Sequence, residues 1–175
     1  LPDEELAKLT ELRQELSKAE SEFSQNLNED VSTVTFTKAQ LEGVPDYIMK
    51  RFKVDANGNF IVTTKSTDYV GVIENAKLPA SRQAILTAYL NRAGEPNKVL
   101  LEKAVVLREQ IAKALGYKTW ADYRTDGRMA QTGQQVLDLL LGLKDKLAQR
   151  NTQDLSLLLK AKQEMENGAA TTIEA

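Results

Sequence analysis

The stretch Pro96-Asn97-Lys98-Val99-Leu100-Leu101-Glu102-Lys103-Ala104-Val105-Val106-Leu107-Arg108-Glu109-Gln110-Ile111-Ala112-Lys113-Ala114-Leu115-Gly116 decides the class of this fold. Leu100, Ala104, Leu107, Ile111 and Leu115 recur at intervals of three and four, which puts them on one stripe of an α-helix. Pro96 suits the first turn, where its missing N–H has no intrahelical partner to lose, and Gly116 supplies the left-handed residue that closes the last one. The chain on both sides repeats the same grammar.

Toward the C-terminus, Thr119 and Asp122 form a short capping-box-like pair ahead of Tyr123. Thr132-Gly133-Gln134-Gln135 is a clearer capping box, opening a helix through Val136, Leu139, Leu140, Leu143 and Leu147. Asn151 or Thr152 is expected to interrupt it. A last helix then carries Leu155, Leu158, Leu159 and Met165 and ends at Gly168. Ala169 to Ala175 has no period and reads as a chain cut in mid-course.

Toward the N-terminus, Pro79 opens a helix through Ile85, Leu86, Tyr89 and Leu90 that ends at Gly94. Ser66 or Thr67 opens another, covering Tyr69, Val70, Val72 and Ile73. Before these the pattern turns to strands. Val31 to Phe36 alternates apolar and polar residues. Thr37 caps a short turn through Leu41 that Gly43 stops, and Pro45 begins a helical turn through Phe52. Asn57-Gly58, between Val54 and Phe60-Ile61-Val62-Thr63, predicts a hairpin with a type I′ turn. The 60–63 strand is expected to lie beside 31–36. From Pro2 to about Leu27, Leu9, Leu12, Leu16, Ala19 and Phe23 mark a first long helix. The fold class is mainly α, a multi-helix assembly with one small antiparallel sheet, in a single segment spanning 1–175.

The chain has 175 residues, 42% hydrophobic and 27% charged, an ordinary composition for a chain with a core. It contains no His and no Cys. Zinc sites built on them, thiol and Ser–His nucleophiles, and a histidine general base are therefore excluded within this chain. There is no Asn-x-Ser/Thr sequon. Net charge is −2, which predicts no attraction to nucleic acid or to an anionic membrane. The first thirty residues hold nine acids and three bases, the pattern of a solvated outer helix face. The longest apolar stretch, Val136 to Leu143, contains Asp138 and is too short to span a bilayer. The expected location is cytoplasmic, or mitochondrial if an upstream targeting segment was removed.

Candidate chemistry is sparse. Asp122 and Asp126, four apart, would place two carboxylates on one helical face, as hydrolytic sites require, although such pairs are usually surface charge near a helix start. Asp55-x-Asn57-x-Asn59 begins like a calcium loop, but Phe60 stands where glycine is required and Ser66 where a bidentate Glu is required, so a turn is expected. Lys50, Arg51 and Lys53 beside Tyr47 and Phe52 make a faint aromatic–basic cluster without a wider basic stripe. Trp120, Tyr117 and Tyr123 read as packing at a helix junction. There is no Ser-x-x-Lys and no glycine-rich phosphate loop.

Phe23-Ser24-Gln25-Asn26-Leu27-Asn28-Glu29-Asp30, with Phe36-Thr37 and Gln40-Leu41-Glu42-Gly43-Val44-Pro45 behind it, resembles the thimet oligopeptidase, neurolysin and saccharolysin family. The resemblance continues through Tyr69, the Arg82 region, Leu107-Arg108, Leu115-Gly116-Tyr117 and Ala121-Asp122-Tyr123. It reaches Arg128-Met129-Ala130-Gln131-Thr132, which is similar to the family's MAKT stretch. It is collinear over nearly the whole chain.

The family are HExxH zinc metallo-oligopeptidases, with zinc held by the two motif histidines and a downstream Glu in the C-terminal half. The resemblance therefore implies an internal piece of the N-terminal half, helices and a small sheet walling a peptide channel. It carries over no catalytic, cofactor-binding or metal residue: the zinc belongs to the full-length parent, whose substrates are short peptides. The alternative is a free-standing helical binding or scaffold protein derived from that family and without peptidase activity. Whether the reading frame continues into HExxH separates the two. On either reading, the Leu9–Leu12–Leu16–Phe23 seam and the Leu155–Leu158–Leu159 face are expected to lack partners in this chain, so that it self-associates or retains a complementary fragment.

Overall fold

The computed structural model describes residues 2–173. Among them, seven helices accompany one three-stranded antiparallel sheet. In order these are α1 (Asp3–Glu29), β1 (Thr33–Phe36), α2 (Asp46–Met49), β2 (Lys53–Val54), β3 (Phe60–Thr63), α3 (Ser66–Asn75), α4 (Pro79–Leu90), α5 (Gly94–Ala114), α6 (Trp120–Thr125) and α7 (Gly133–Met165). The expected class, mainly α with a small sheet, is the observed one. The chain divides into two compact units, with the breaks inside α1 after Leu9 and inside α5 after Leu107.

The unit from Thr10 to Leu107 is built on the sheet, with strand order β1-β3-β2. Register pairs Val34 with Val62 and Phe36 with Phe60, so β3 does lie beside β1 as expected. The strand is shorter than the alternation suggested. Val31 is 86% exposed, and the Ser32 N–H is taken by the Asp30 carboxylate, so pairing begins at Thr33. Phe36, Leu41, Val44, Ile48, Phe52, Val62, Val72, Ala76 and Ile85 form the core, with α3 and α4 packed against each other over it. Thr37 and Gln40 bond reciprocally, the Gln40 Oε1 accepting the Thr37 N–H at 2.8 Å and the Thr37 hydroxyl accepting the Gln40 N–H at 3.3 Å. Only a turn follows, because Gly43 at φ +96° redirects the chain.

The hairpin closes differently from the type I′ turn. Five residues, Asp55–Asn59, separate β2 from β3, and of the central pair Gly58 alone has positive φ, at +82°. Asp55 is the cause. Its Oδ1 accepts the N–H groups of Asn57 and Asn59 at 2.8 and 2.9 Å, an Asx arrangement that holds a longer loop.

Residues 108–173 and the start of α1 belong to the other unit. At the end of α5, the Tyr117 N–H reaches the Ala112 carbonyl and the Gly116 N–H the Lys113 carbonyl, a Schellman closure with Gly116 at φ +83°. Thr119 and Thr132 cap α6 and α7 through their side chains, as the capping boxes predicted. The expected break at Asn151 or Thr152 does not occur: α7 runs unbroken for 33 residues. The Thr152 hydroxyl donates back to the Ala148 carbonyl at 3.1 Å and Arg150 pairs with Asp154 at 2.9 Å, both of which fit a helix interior. Among the described residues no helix is long and apolar enough to cross a membrane.

The expected orphan seam on α1 is corrected. Leu9 and Leu16 are 4% and 7% exposed, so that stripe is covered within this chain. The Leu155–Leu158–Leu159 face, by contrast, stays open at Leu155 and Leu158.

Candidate functional site

Asp55, Asp122, Asp126 and Arg51, singled out in the sequence, each hold a structural partner. Asp122 opens α6. Its Oδ2 accepts the Thr119 hydroxyl at 2.7 Å and its Oδ1 the Gly133 N–H at 3.0 Å, so one carboxylate binds the start of α6 to the start of α7. The Thr119 hydroxyl first, and then the Gly133 amide, hold Asp122 below the usual carboxylate range. Asp126 turns instead to Tyr117, whose hydroxyl donates to it at 2.5 Å. That bond pushes the Tyr117 phenol upward. The two carboxylates serve separate partners and do not form a hydrolytic pair.

The basic cluster is likewise dispersed. Arg51 donates to the Thr67 carbonyl at 2.7 Å and lies 3.9 Å from Asp68, pinning the start of α3. Phe52 enters the core, while Tyr47 is exposed. In the Asp55 loop the side-chain amide of Asn59 donates to Asp55 Oδ2 at 3.1 Å. The backbone N–H of Asn59 first, and its side-chain amide next, hold the Asp55 carboxyl below its ordinary value. The turn reading replaces the calcium loop.

Trp120, Tyr117 and Tyr123 do meet. Tyr123 lies 5.3 Å from each of the other two rings, and the guanidinium groups of Arg108 and Arg124 stand 5.8 and 5.9 Å from the Trp120 ring. Spacing had no means of revealing two further features. Tyr69 stacks on Tyr89 at 4.0 Å, with Arg92 on the same Tyr89 ring at 3.7 Å. Asp30 is a hub: Oδ1 accepts from the Ser32 amide and the Thr64 hydroxyl, and Oδ2 from the Ala93 amide, at 2.9, 3.3 and 3.0 Å. Burial works to raise its pKa, but these donors outweigh it and leave the group below its ordinary value.

The stretch Phe23–Asp30 is thus a lock between the end of α1 and the start of α5. Asn26 donates to the Asn97 Oδ1 at 2.9 Å, and the buried Asn97 donates to the Phe23 carbonyl at 3.1 Å. Beside it an open groove of about 390 Å³ is lined by Asn26, Glu29, Asp30, Ser32, Ala93 and Pro96.

A zinc ion does not fit this chain. It has no His or Cys, and among the described residues no three acidic side chains gather to hold a metal.

The model of Peptidase family M3 matches residues 72–174. Saccharolysin of Saccharomyces cerevisiae is 36% identical over 163 residues, covering 90% of this chain and 23% of that protein. A probable thimet oligopeptidase of Arabidopsis thaliana is 31% identical over 157 residues, covering 89% of this chain and 22% of its own length. The chloroplastic/mitochondrial organellar oligopeptidase A of the same plant is 28% identical over 172 residues, covering 89% and 22%. The chain therefore spans less than a quarter of the length of these curated relatives.

Proposed function

We propose, from the premise that this chain belongs to peptidase family M3, that it is a segment of a metallo-oligopeptidase that hydrolyses short peptides. One observation carries the reading. The similarity to peptidases runs along about nine-tenths of the chain, through the sheet, its flanking helices and α7 alike. In the parent, the segment walls the substrate channel and limits access to short peptides. It contributes no catalytic group, and the parent's zinc is held by residues outside it. Its polar side chains support this division, since Asp30, Asp55, Asp122 and Asp126 are all spent on backbone or hydroxyl partners. The parent works in the cytoplasm, or in an organelle where a targeting segment directs it.

The test is a quenched fluorescent short-peptide assay on two purified proteins, the chain itself and the product of its uninterrupted reading frame. The chain alone is expected to be inactive. The longer product is expected to cleave the peptide and to stop on chelation. A reading frame that ends at Ala175, or a longer product without activity, overturns the proposal in favour of a binding or scaffold protein.

A further inference from the structure

The loop between β2 and β3 carries Asn57-Gly58 at its middle, and both residues are exposed. A Cβ at Gly58 would meet nothing within 4 Å, so the peptide nitrogen after Asn57 is open to approach. Asp55 Oδ1 holds the Asn57 backbone N–H at 2.8 Å, but the Asn57 side-chain amide has no partner among the described residues. Asn26, Asn59, Asn75, Asn91 and Asn97, by contrast, all donate theirs to an oxygen of this chain. Each of those five is also followed by a residue with a side chain, which crowds the next nitrogen. Asparagine is a thermolabile residue, and glycine after it frees the backbone to bring nitrogen and carboxamide together.

We propose that Asn57 is a modification site, at which this chain deamidates through a cyclic imide formed with Gly58. Solvent hydroxide takes the Gly58 amide proton, and that nitrogen attacks Asn57 Cγ. The N–Cγ bond closes a five-membered ring, and the Cγ–Nδ2 bond breaks, releasing ammonia with a proton returned from water. Water then opens the ring. Cleavage between the Gly58 nitrogen and Cγ leaves aspartate, and cleavage at the main-chain carbonyl leaves isoaspartate. One neutral amide becomes a carboxylate, so the net charge goes from −2 to −3. Isoaspartate also adds a carbon to the backbone of a loop that the Asp55 N–H closes on the Asn59 carbonyl at 2.9 Å. β2 is only two residues long and offers few ladder bonds to resist, so the modified hairpin loosens.

A second Asn-Gly pair, Asn167-Gly168, gives an internal comparison. The Gly168 N–H donates to the Gln163 carbonyl at 2.8 Å, where it closes the end of α7. The chain beyond it is tied back, with Gln163 donating to the Ala170 carbonyl and Ala170 itself buried. The Gly58 N–H meets the Asp55 carbonyl at a longer 3.1 Å, in an exposed loop whose opening disturbs no helix. The fold therefore ranks Asn57 ahead of Asn167. This inference concerns the chain itself and stands apart from the peptidase reading.

Incubation of the full chain in mildly alkaline buffer, followed by isoelectric focusing and peptide mapping, tests it. A species one charge more acidic is expected to accumulate, with aspartate and isoaspartate at position 57. Asn57→Gln, whose longer side chain closes the corresponding ring far more slowly, is expected to remove that early species. In the folded chain, conversion at 57 is expected to run several-fold ahead of 167, and in urea the two are expected to converge. Amide exchange in β2 and β3 is expected to be faster in the isoaspartate-bearing fraction. Asn57 remaining intact while another asparagine converts overturns the proposal. So do equal rates at 57 and 167 in the folded chain, or exchange in the hairpin that isoaspartate leaves unchanged.

Discussion

Gly58 holds φ at +82° with nothing within 4 Å of where a Cβ would stand, so any penalty for substitution there is conformational and not steric. A β-branched residue resists that region, and Gly58→Val is expected to cost about 1–3 kcal/mol. A urea midpoint unchanged from the parent chain would contradict it. Carboxylates set the acid limit of stability at the same scale. Asp30, Asp55 and Asp122 all titrate below their ordinary values in the folded chain. A depressed folded pKa means that the unfolded chain binds the proton more readily, so this stability is whole above about pH 4–5. It is lost as pH falls through the folded values. Tyr117 acts in the opposite sense, because its raised pKa gives stability that is present below about pH 10 and lost as pH climbs through the folded value. Urea midpoints measured from pH 2 to 11 should show a plateau with both limbs. Asp30→Asn should flatten the acid limb, and an acid limb of undiminished steepness would mean that the hub contributes nothing.

Helices and their ends follow from local chemistry, and here the reading of single elements was most successful. The stripe in α5, the Schellman closure at Gly116 and the caps at Thr119 and Thr132 depend on residues within a turn or two of one another. Misreadings arose where local signals compete. Asn151 and Thr152 favour helix ends, but inside α7 the Thr152 back-bond and the Arg150–Asp154 pair let the helix continue. Asn57-Gly58 favours a two-residue turn, but the Asp55 carboxylate organises five residues around itself. Contacts between elements make a sharper test. A Cβ on Gly71 of α3 would stand 2.8 Å from Ile48 Cγ2 and 3.8 Å from an Arg51 guanidinium nitrogen. Gly71→Val is therefore expected to destabilise by about 1–3 kcal/mol through overpacking, seen as a lower thermal midpoint. A midpoint equal to the parent's would mean that α2 and α3 part easily. Gly133→Val offers the same test at the α6–α7 junction, where the added carbon meets Ala121 Cβ at 2.8 Å.

For the molecule as a whole, the expected behaviour toward metal is inertness. Calorimetric titration of the full chain with zinc should give no saturable heat at micromolar concentration, since the ligands that zinc selects are missing from the sequence. A stoichiometric isotherm would contradict that. The sequence by itself determined the helical class, the caps and the absence of histidine and cysteine chemistry, because these rest on residue type and on spacings within one turn. The collinear family resemblance was legible for a related reason, since residue identities in order survive without coordinates. Only the tertiary structure decided where the carboxylates spend their lone pairs. Asp30 meets Ala93 across 63 positions and Asp122 meets Gly133 across 11, distances along the chain over which no period or motif carries information. Tertiary structure also decided which apolar stripe is covered. The seams of α1 and α7 look alike as leucine spacings, yet Leu9 and Leu16 are buried while Leu140 and Leu158 are open. Burial depends on which surfaces the folded chain brings to a helix, and a one-dimensional pattern states only that some surface is needed.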